Sequence, residues 1–198
     1  RNYLYKNNGD KSFTNITVSA GINISGLASS AAFFDYDNDN DVDLLVSNWI
    51  HNPILYRNNG NDTFTDVTTS ANLITGDNIF HLTVADYDAD GWLDIYFGKI
   101  QTSEHNLLYR NDGDGTFSDV TQETQVGDDG DCRSINFVDY DNDGDLDLFV
   151  SNSTSHPNNV NRLYNNNGFG VFSDSAEVCG VTETYNLGYT VWGDYDND

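Results

Sequence analysis

The chain has 198 residues, 37% of them hydrophobic and 13% aromatic, and sets 32 acidic against 8 basic residues for a formal charge of −24 at pH 7. That apolar content sustains a packed core and argues against disorder, while the charge repels nucleic acid phosphates and anionic lipid, so neither is an expected partner. No run approaches the ~20 apolar residues of a bilayer-spanning helix and no signal-peptide pattern opens the chain, which starts at Arg1 with both ends inside repeats and so reads as a mature product or a fragment.

Asn, Asp, Gly, Thr, Tyr and Phe dominate and Met is absent, the composition of short strands joined by tight turns. Leu4-Tyr5-Lys6, the cluster NNGDKSF and FTNIT at Phe13 predict two strands and a hairpin, because Asn, Asp and Gly tolerate the positive φ of tight β-turns. Ala31–Phe34 predicts the buried first strand of a new unit, followed by the acidic phrase DYDNDNDVD from Asp35 and a second strand, Leu44–Val46. Leu55-Tyr56-Arg57 and FTDVT at Phe64 then repeat the opening pair, with Phe and Val at alternate positions giving one buried face. The order recurs with His81–Ala85, DYDADGWLD from Asp86, Ile95–Phe97, Leu108-Tyr109-Arg110 and Phe117. It recurs again with Ile135–Val138, DYDNDGDLD from Asp139, Leu148–Val150, Leu163-Tyr164-Asn165 and Phe172. Thr190–Gly193 predicts one more first strand, and a fourth phrase, DYDND, begins at Asp194.

The first aspartates of successive phrases lie 51, 53 and 55 residues apart, so each phrase marks the same place in a repeated structural unit. Four antiparallel strands per unit with no helix between them is the pattern of a β-propeller blade; a stacked solenoid is the alternative, but its coils are usually shorter. The expected fold is all-β, a propeller of four-stranded antiparallel blades forming a partial or open ring. One repeat region would span residues 1–198, with units at about 1–29 (partial), 30–80, 81–133, 134–188 and 189–198 (partial).

Within each phrase the acids fall at positions 1, 3, 5 and 9: Asp35, Asp37, Asp39 and Asp43; Asp86, Asp88, Asp90 and Asp94; Asp139, Asp141, Asp143 and Asp147. Alternate residues of a tight turn aim side chains at one point, and Ca²⁺ takes six to eight oxygen ligands. Position 7, occupied by Asp41, Trp92 or Asp145, varies in chemistry and is expected to offer its backbone carbonyl, while position 6, Asn40, Gly91 or Gly144, suits a left-handed reversal. The truncated fourth copy supplies Asp194, Asp196 and Asp198. An EF-hand does not fit, because position 12 is Val46, Phe97 or Val150 rather than Glu and a strand follows the loop. Mg²⁺ prefers to keep its waters, and purely solvated Asp-rich turns do not account for four copies at one spacing.

The pattern DxDxDGxxD, entered from an apolar strand and leading into LxLxV, resembles the FG-GAP/VCBS repeat, the blade of integrin α-subunit propellers and of many secreted bacterial proteins. The resemblance covers the whole chain. It implies a calcium-binding propeller with ligands from loop positions 1, 3, 5, 7 and 9. The chain departs from the family pattern at Asn40, which replaces Gly, in the fourth loop, which lacks positions 6 to 9, and in the missing FG and GAP tripeptides.

Cys132 and Cys179 lie about one repeat apart, a spacing that fits either a staple between neighbouring units or two free thiols. His51, His81, His105 and His156 share no repeat position and read as scattered surface or packing residues, while Trp49, Trp92 and Trp192 also sit at different positions, where core or rim packing is the expected role. Sequons at Asn15, Asn23, Asn61 and Asn152 permit glycosylation. No GxSxG, HExxH or P-loop motif is present, and the paired carboxylates are committed to metal, so no enzyme is expected. These features predict a non-catalytic extracellular or cell-surface module for adhesion or assembly, binding a protein or glycan ligand or associating with itself. The alternatives are a carbohydrate-binding propeller and a filament subunit whose blades are completed between chains.

Overall fold

The computed structural model describes residues 2–100, 104–153, 159–182 and 189–194. A two-stranded sheet of β1 (Tyr5–Asn7) and β2 (Phe13–Asn15) comes first. Three four-stranded antiparallel sheets follow: β3 (Ala28–Phe34) to β6 (Phe64–Asp66) through β4 (Asp43–Asn48) and β5 (Ile54–Asn58), then β7 (Ile79–Ala85), β8 (Asp94–Lys99), β9 (Leu107–Asn111) and β10 (Phe117–Asp119), then β11 (Cys132–Val138), β12 (Asp147–Asn152), β13 (Arg162–Asn166) and β14 (Phe172–Asp174). Each is a meander in which every strand pairs with its sequence neighbour, and the register repeats: Leu44 faces Tyr56, Ile95 faces Tyr109, and Leu148 faces Tyr164. The first strand of each sheet carries an irregularity near its start, between Ala28 and Ala31, Ile79 and His81, and Cys132 and Ser134, which adds twist where the inner strands approach one another. These are propeller blades.

Two features differ from the sequence expectation. The segment after the fourth strand closes into single helical turns, α1 (Thr121–Thr124) and α2 (Ala176–Cys179), where no helix is expected. An Asx turn starts α1: Asp119 Oδ1 accepts the Thr121 N–H at 3.0 Å and its hydroxyl at 2.6 Å, and the Thr121 hydroxyl accepts the Leu108 N–H at 2.9 Å. Asp66 and Thr68 repeat the arrangement beside Leu55, and Asn15 and Thr17 beside Leu4, so one short motif returns the chain from a fourth strand to the next blade. Thr190–Gly193 forms no strand. In the three complete blades the equivalent segment pairs with the strand beyond the acidic loop, and residues 195–198 lie outside the described residues.

The apolar cores lie between blades rather than within them. One cluster joins Phe34, Leu45 and Leu55 of the first complete blade to Ile79, Ile95 and Phe97 of the second, and another joins Tyr96 and Leu108 of the second to Ile135, Leu148 and Val150 of the third. A sheet of this size cannot bury both faces alone, so each blade owes its stability to its neighbours. Hydrogen bonds reinforce the contact. The buried Asn111 ends β9 and donates from Nδ2 across to the Tyr36 carbonyl at 2.8 Å, and Asn166 reaches Tyr87 at the same distance. The Tyr36 and Tyr87 rings pack on Phe117 and Phe172 of the following blade, with centroids 6.2 and 5.8 Å apart.

Replacing Asn111 with Ala strands a buried carbonyl between two blades, so a loss of about 1–3 kcal/mol is expected. A lowered urea midpoint with unchanged far-UV circular dichroism would bear this out, whereas an unchanged midpoint would remove Asn111 from the interface energetics.

Candidate metal centres

Each acidic phrase forms the turn between the first and second strands of its blade, and its own side chains fold it. The position-1 carboxylate, Asp35, Asp86 or Asp139, accepts the N–H groups of positions 5 and 6 at 2.9–3.1 Å. The position-5 carboxylate accepts the N–H of position 7 at 2.8–3.0 Å. Position 6 is left-handed, with φ of 71° at Asn40, 92° at Gly91 and 97° at Gly144. Position 4 is left-handed too, at 55° for Asn38, 57° for Ala89 and 60° for Asn142. This second reversal is not evident from the sequence, because the chain places an alanine there once despite the steric cost.

Position 9 is the floor of the site. Asp43, Asp94 and Asp147 are fully buried. One oxygen of each accepts the N–H of the loop tyrosine at 3.0–3.2 Å, and the other accepts the N–H of Asn58, Asn111 or Asn166 at 2.7–2.8 Å. The position-7 side chains turn away towards the hairpin between the third and fourth strands, where Asp41, Trp92 and Asp145 lie against Gly60, Gly113 and Gly168.

Carboxylate oxygens within 4.8 Å of one another come from Asp35, Asp37 and Asp39 in the first loop and from Asp86, Asp88 and Asp90 in the second. In the third loop the set is Asp139, Asp141 and Asp147. There Asn165 replaces the arginine of the other blades and donates to the exposed Asp141 at 2.9 Å. Oδ1 of Asp37 and Oδ1 of Asp88 are buried without a hydrogen-bond partner. An acceptor in that state is costly unless a cation or donor meets it, and here it faces other carboxylates. The donor set is all oxygen and strongly negative, which fits a hard cation. Asp194 lies on the exposed surface, and Asp196 and Asp198 lie outside the described residues.

The protonation states reflect the same crowding. Burial pushes the Asp43 carboxyl up to about 6 and Asp94 up to about 8, against the opposing effect of the N–H bonds they accept. Asp147 is raised for the same reason, and Asp37 and Asp88 are raised by burial and then by the neighbouring position-5 carboxylates.

Other residues singled out in the sequence fall elsewhere. Cys132 is buried and Cys179 exposed, and both are free thiols. Asn152 is fully buried and donates to Asp128 and the Val160 carbonyl, so its sequon is closed in the folded chain, while Asn15, Asn23 and Asn61 are exposed. Trp49 packs edge-on to Phe80 and Trp192 to Phe149. No helix among the described residues is long and apolar enough to cross a membrane.

Blades joined through acidic, oxygen-lined loops define a propeller-type repeat protein with candidate cation sites between its inner strands. The family model for the FG-GAP-like repeat matches residues 1–46, 35–97 and 99–150, and the chain belongs to this family. It is 28% identical over 200 residues to human (Homo sapiens) cartilage acidic protein 1, covering 89% of this chain and 30% of that protein. To the Mus musculus protein it is 27% identical over 178 residues, covering 85% of this chain and 27% of the relative. The chain thus spans less than a third of the length of these curated relatives. Among solved structures, an Agrocybe aegerita lectin, titled for its recognition of non-reducing terminal N-acetylglucosamine, aligns with 86% of this chain and 44% of its own at 21% identity and a TM-score of 0.47.

The raised carboxyl pKa values give the metal-free protein a definite pH dependence. Between about pH 4 and pH 8 the folded state binds more protons than the unfolded state, so stability falls as pH rises through that window. In EDTA the urea midpoint is expected to be higher at pH 5 than at pH 8, and the reverse order would contradict the assignment. A cation competes with those protons, so its affinity is expected to rise over the same range.

Proposed function

We propose that the chain is a non-catalytic calcium-binding repeat module, one continuous region over residues 1–198, acting outside the cell or at its surface in adhesion or structural assembly. The observation that carries this reading is the buried, partnerless oxygen of Asp37 and of Asp88 within clusters of carboxylates. Ca²⁺ at these loops would be held by positions 1, 3 and 5, with the position-7 carbonyl and the position-9 carboxylate completing the set as the family resemblance implies: Asp35, Asp37, Asp39, Asp41 and Asp43; Asp86, Asp88, Asp90, Trp92 and Asp94; Asp139, Asp141, Asp143, Asp145 and Asp147. Bound there, the ion supplies charge neutralisation and a fixed loop geometry. The chain's own residues do the rest: positions 1 and 5 fold the turn, position 9 ties it to the third strand, and the loop tyrosine docks it on the next blade.

An extracellular setting is supported by the relatives, whose printed name places them with cartilage, and by exposed sequons at Asn15, Asn23 and Asn61. Weak calcium sites suffice at millimolar extracellular Ca²⁺. No reaction is assigned. The acidic side chains of the loops hold backbone N–H groups, and burial together with Asp128 and Asp131 raises the Cys132 thiol far above its ordinary range, which leaves it unreactive. The partner is a protein or glycan surface.

Thermal melting tests the reading. In Ca²⁺ at ~100 times its dissociation constant each site adds about 2.7 kcal/mol, so EDTA is expected to lower the melting temperature by many degrees and Ca²⁺, but not equimolar Mg²⁺, to restore it. A melt unchanged by chelation would remove calcium from the account.

A further inference from the structure

We propose that the penultimate residue of each third strand sets the cation affinity of the loop beside it, so that the third loop, next to Asn165, fills before the two loops next to Arg57 and Arg110. The proposal rests on the calcium reading above and concerns how its sites differ. Arg57, Arg110 and Asn165 hold one structural position. Each precedes the asparagine, Asn58, Asn111 or Asn166, whose backbone N–H binds the buried position-9 carboxylate, so each stands at the wall of its own site.

In the first two blades this position brings a permanent positive charge within electrostatic reach of the position-3 carboxylate, Arg57 beside Asp37 and Arg110 beside Asp88. Arg110 also reaches Asp112 of the hairpin, but at 3.4 Å that pair is stretched and leaves the charge acting on the loop. A divalent ion entering either loop is repelled by it. The third blade has no such charge. There Asn165 Nδ2 donates to Asp141 Oδ2 at 2.9 Å and lies 3.4 Å from Asp147 Oδ1, so a neutral amide links the position-3 and position-9 carboxylates. These two converge with Asp139, whereas positions 1, 3 and 5 converge in the other loops. The acid count points the same way: five aspartates face Arg57, four face Arg110, and five in the third loop face no arginine. Ca²⁺ affinity follows ligand charge, which gives the filling order third, first, second.

The test follows a Ca²⁺ titration of the 198-residue chain by nitrogen–proton correlation NMR, reading each loop through its position-6 amide, Asn40, Gly91 or Gly144. The Gly144 midpoint is expected at about one-tenth of the free Ca²⁺ that half-fills the second loop, and added KCl is expected to narrow the gap. Arg110→Asn is expected to lower the Gly91 midpoint by about tenfold, while Arg110→Lys, which keeps the charge, leaves it in place. Asn165→Arg is expected to raise the Gly144 midpoint by about tenfold without moving Gly91. Asn165→Ala removes the hydrogen bond without adding charge and is expected to move Gly144 less. Should a variant misfold, the filling order of the unaltered chain still decides. One common midpoint, an order that the substitutions leave unchanged, or equal effects of Asn165→Arg and Asn165→Ala would overturn the proposal while the calcium reading stands. Loop amides that do not respond to Ca²⁺ at all would instead overturn the calcium reading, and the proposal with it.

Discussion

In each complete blade a fully buried carboxylate, Asp43, Asp94 or Asp147, joins the start of the acidic loop to the end of the third strand by accepting one backbone N–H from each. These bonds are strongest when the carboxyl is ionised, yet burial favours its protonated form. Positive charge nearby would resolve the conflict. Arg57 and Arg110 lie close enough to draw the position-3 carboxylates of the first two loops downwards, but burial and neighbouring acids outweigh them. A divalent cation among the carboxylates would do what the arginines do not.

The loop is also a joint between blades. Its tyrosine carbonyl accepts the buried asparagine of the next blade, and its ring packs on the next fourth strand. Loop and inter-blade core therefore form one connected unit, repeated along the chain. Because the apolar clusters lie between blades, anything that loosens a loop loosens the packing of two sheets at once. In a repeat protein with this wiring, an ion bound in each loop would add stiffness along the array.

Much of this was legible in the sequence because the repeats say the same thing four times. Alternating Phe and Val, the Asn-Gly hairpins and the apolar flanks of the first three acidic phrases specify strands locally, and these appear where expected, whereas Thr190–Gly193 before the fourth does not form one. What escaped depends on contacts between repeats. Asn7, Asn58, Asn111 and Asn166 recur at one position, a signal available from the start, but asparagine before a hairpin reads as turn chemistry and only the fold reveals the bond across to Tyr36 or Tyr87. The left-handed Ala89 was hidden because alanine disfavours that conformation, and the one-turn helices because four residues carry no helical period. The Asn152 sequon resembles the exposed ones in sequence, and its burial follows from its place at the end of β12.

The central claim is that metal in a loop and packing between blades are coupled. Amide hydrogen exchange on the calcium-loaded and chelated protein tests it directly. The account predicts that removing calcium accelerates exchange at the loop amides of positions 5 to 7 and also at Asn111, Phe117 and Asn166. Acceleration confined to the loops, with those interface amides unchanged, would contradict it.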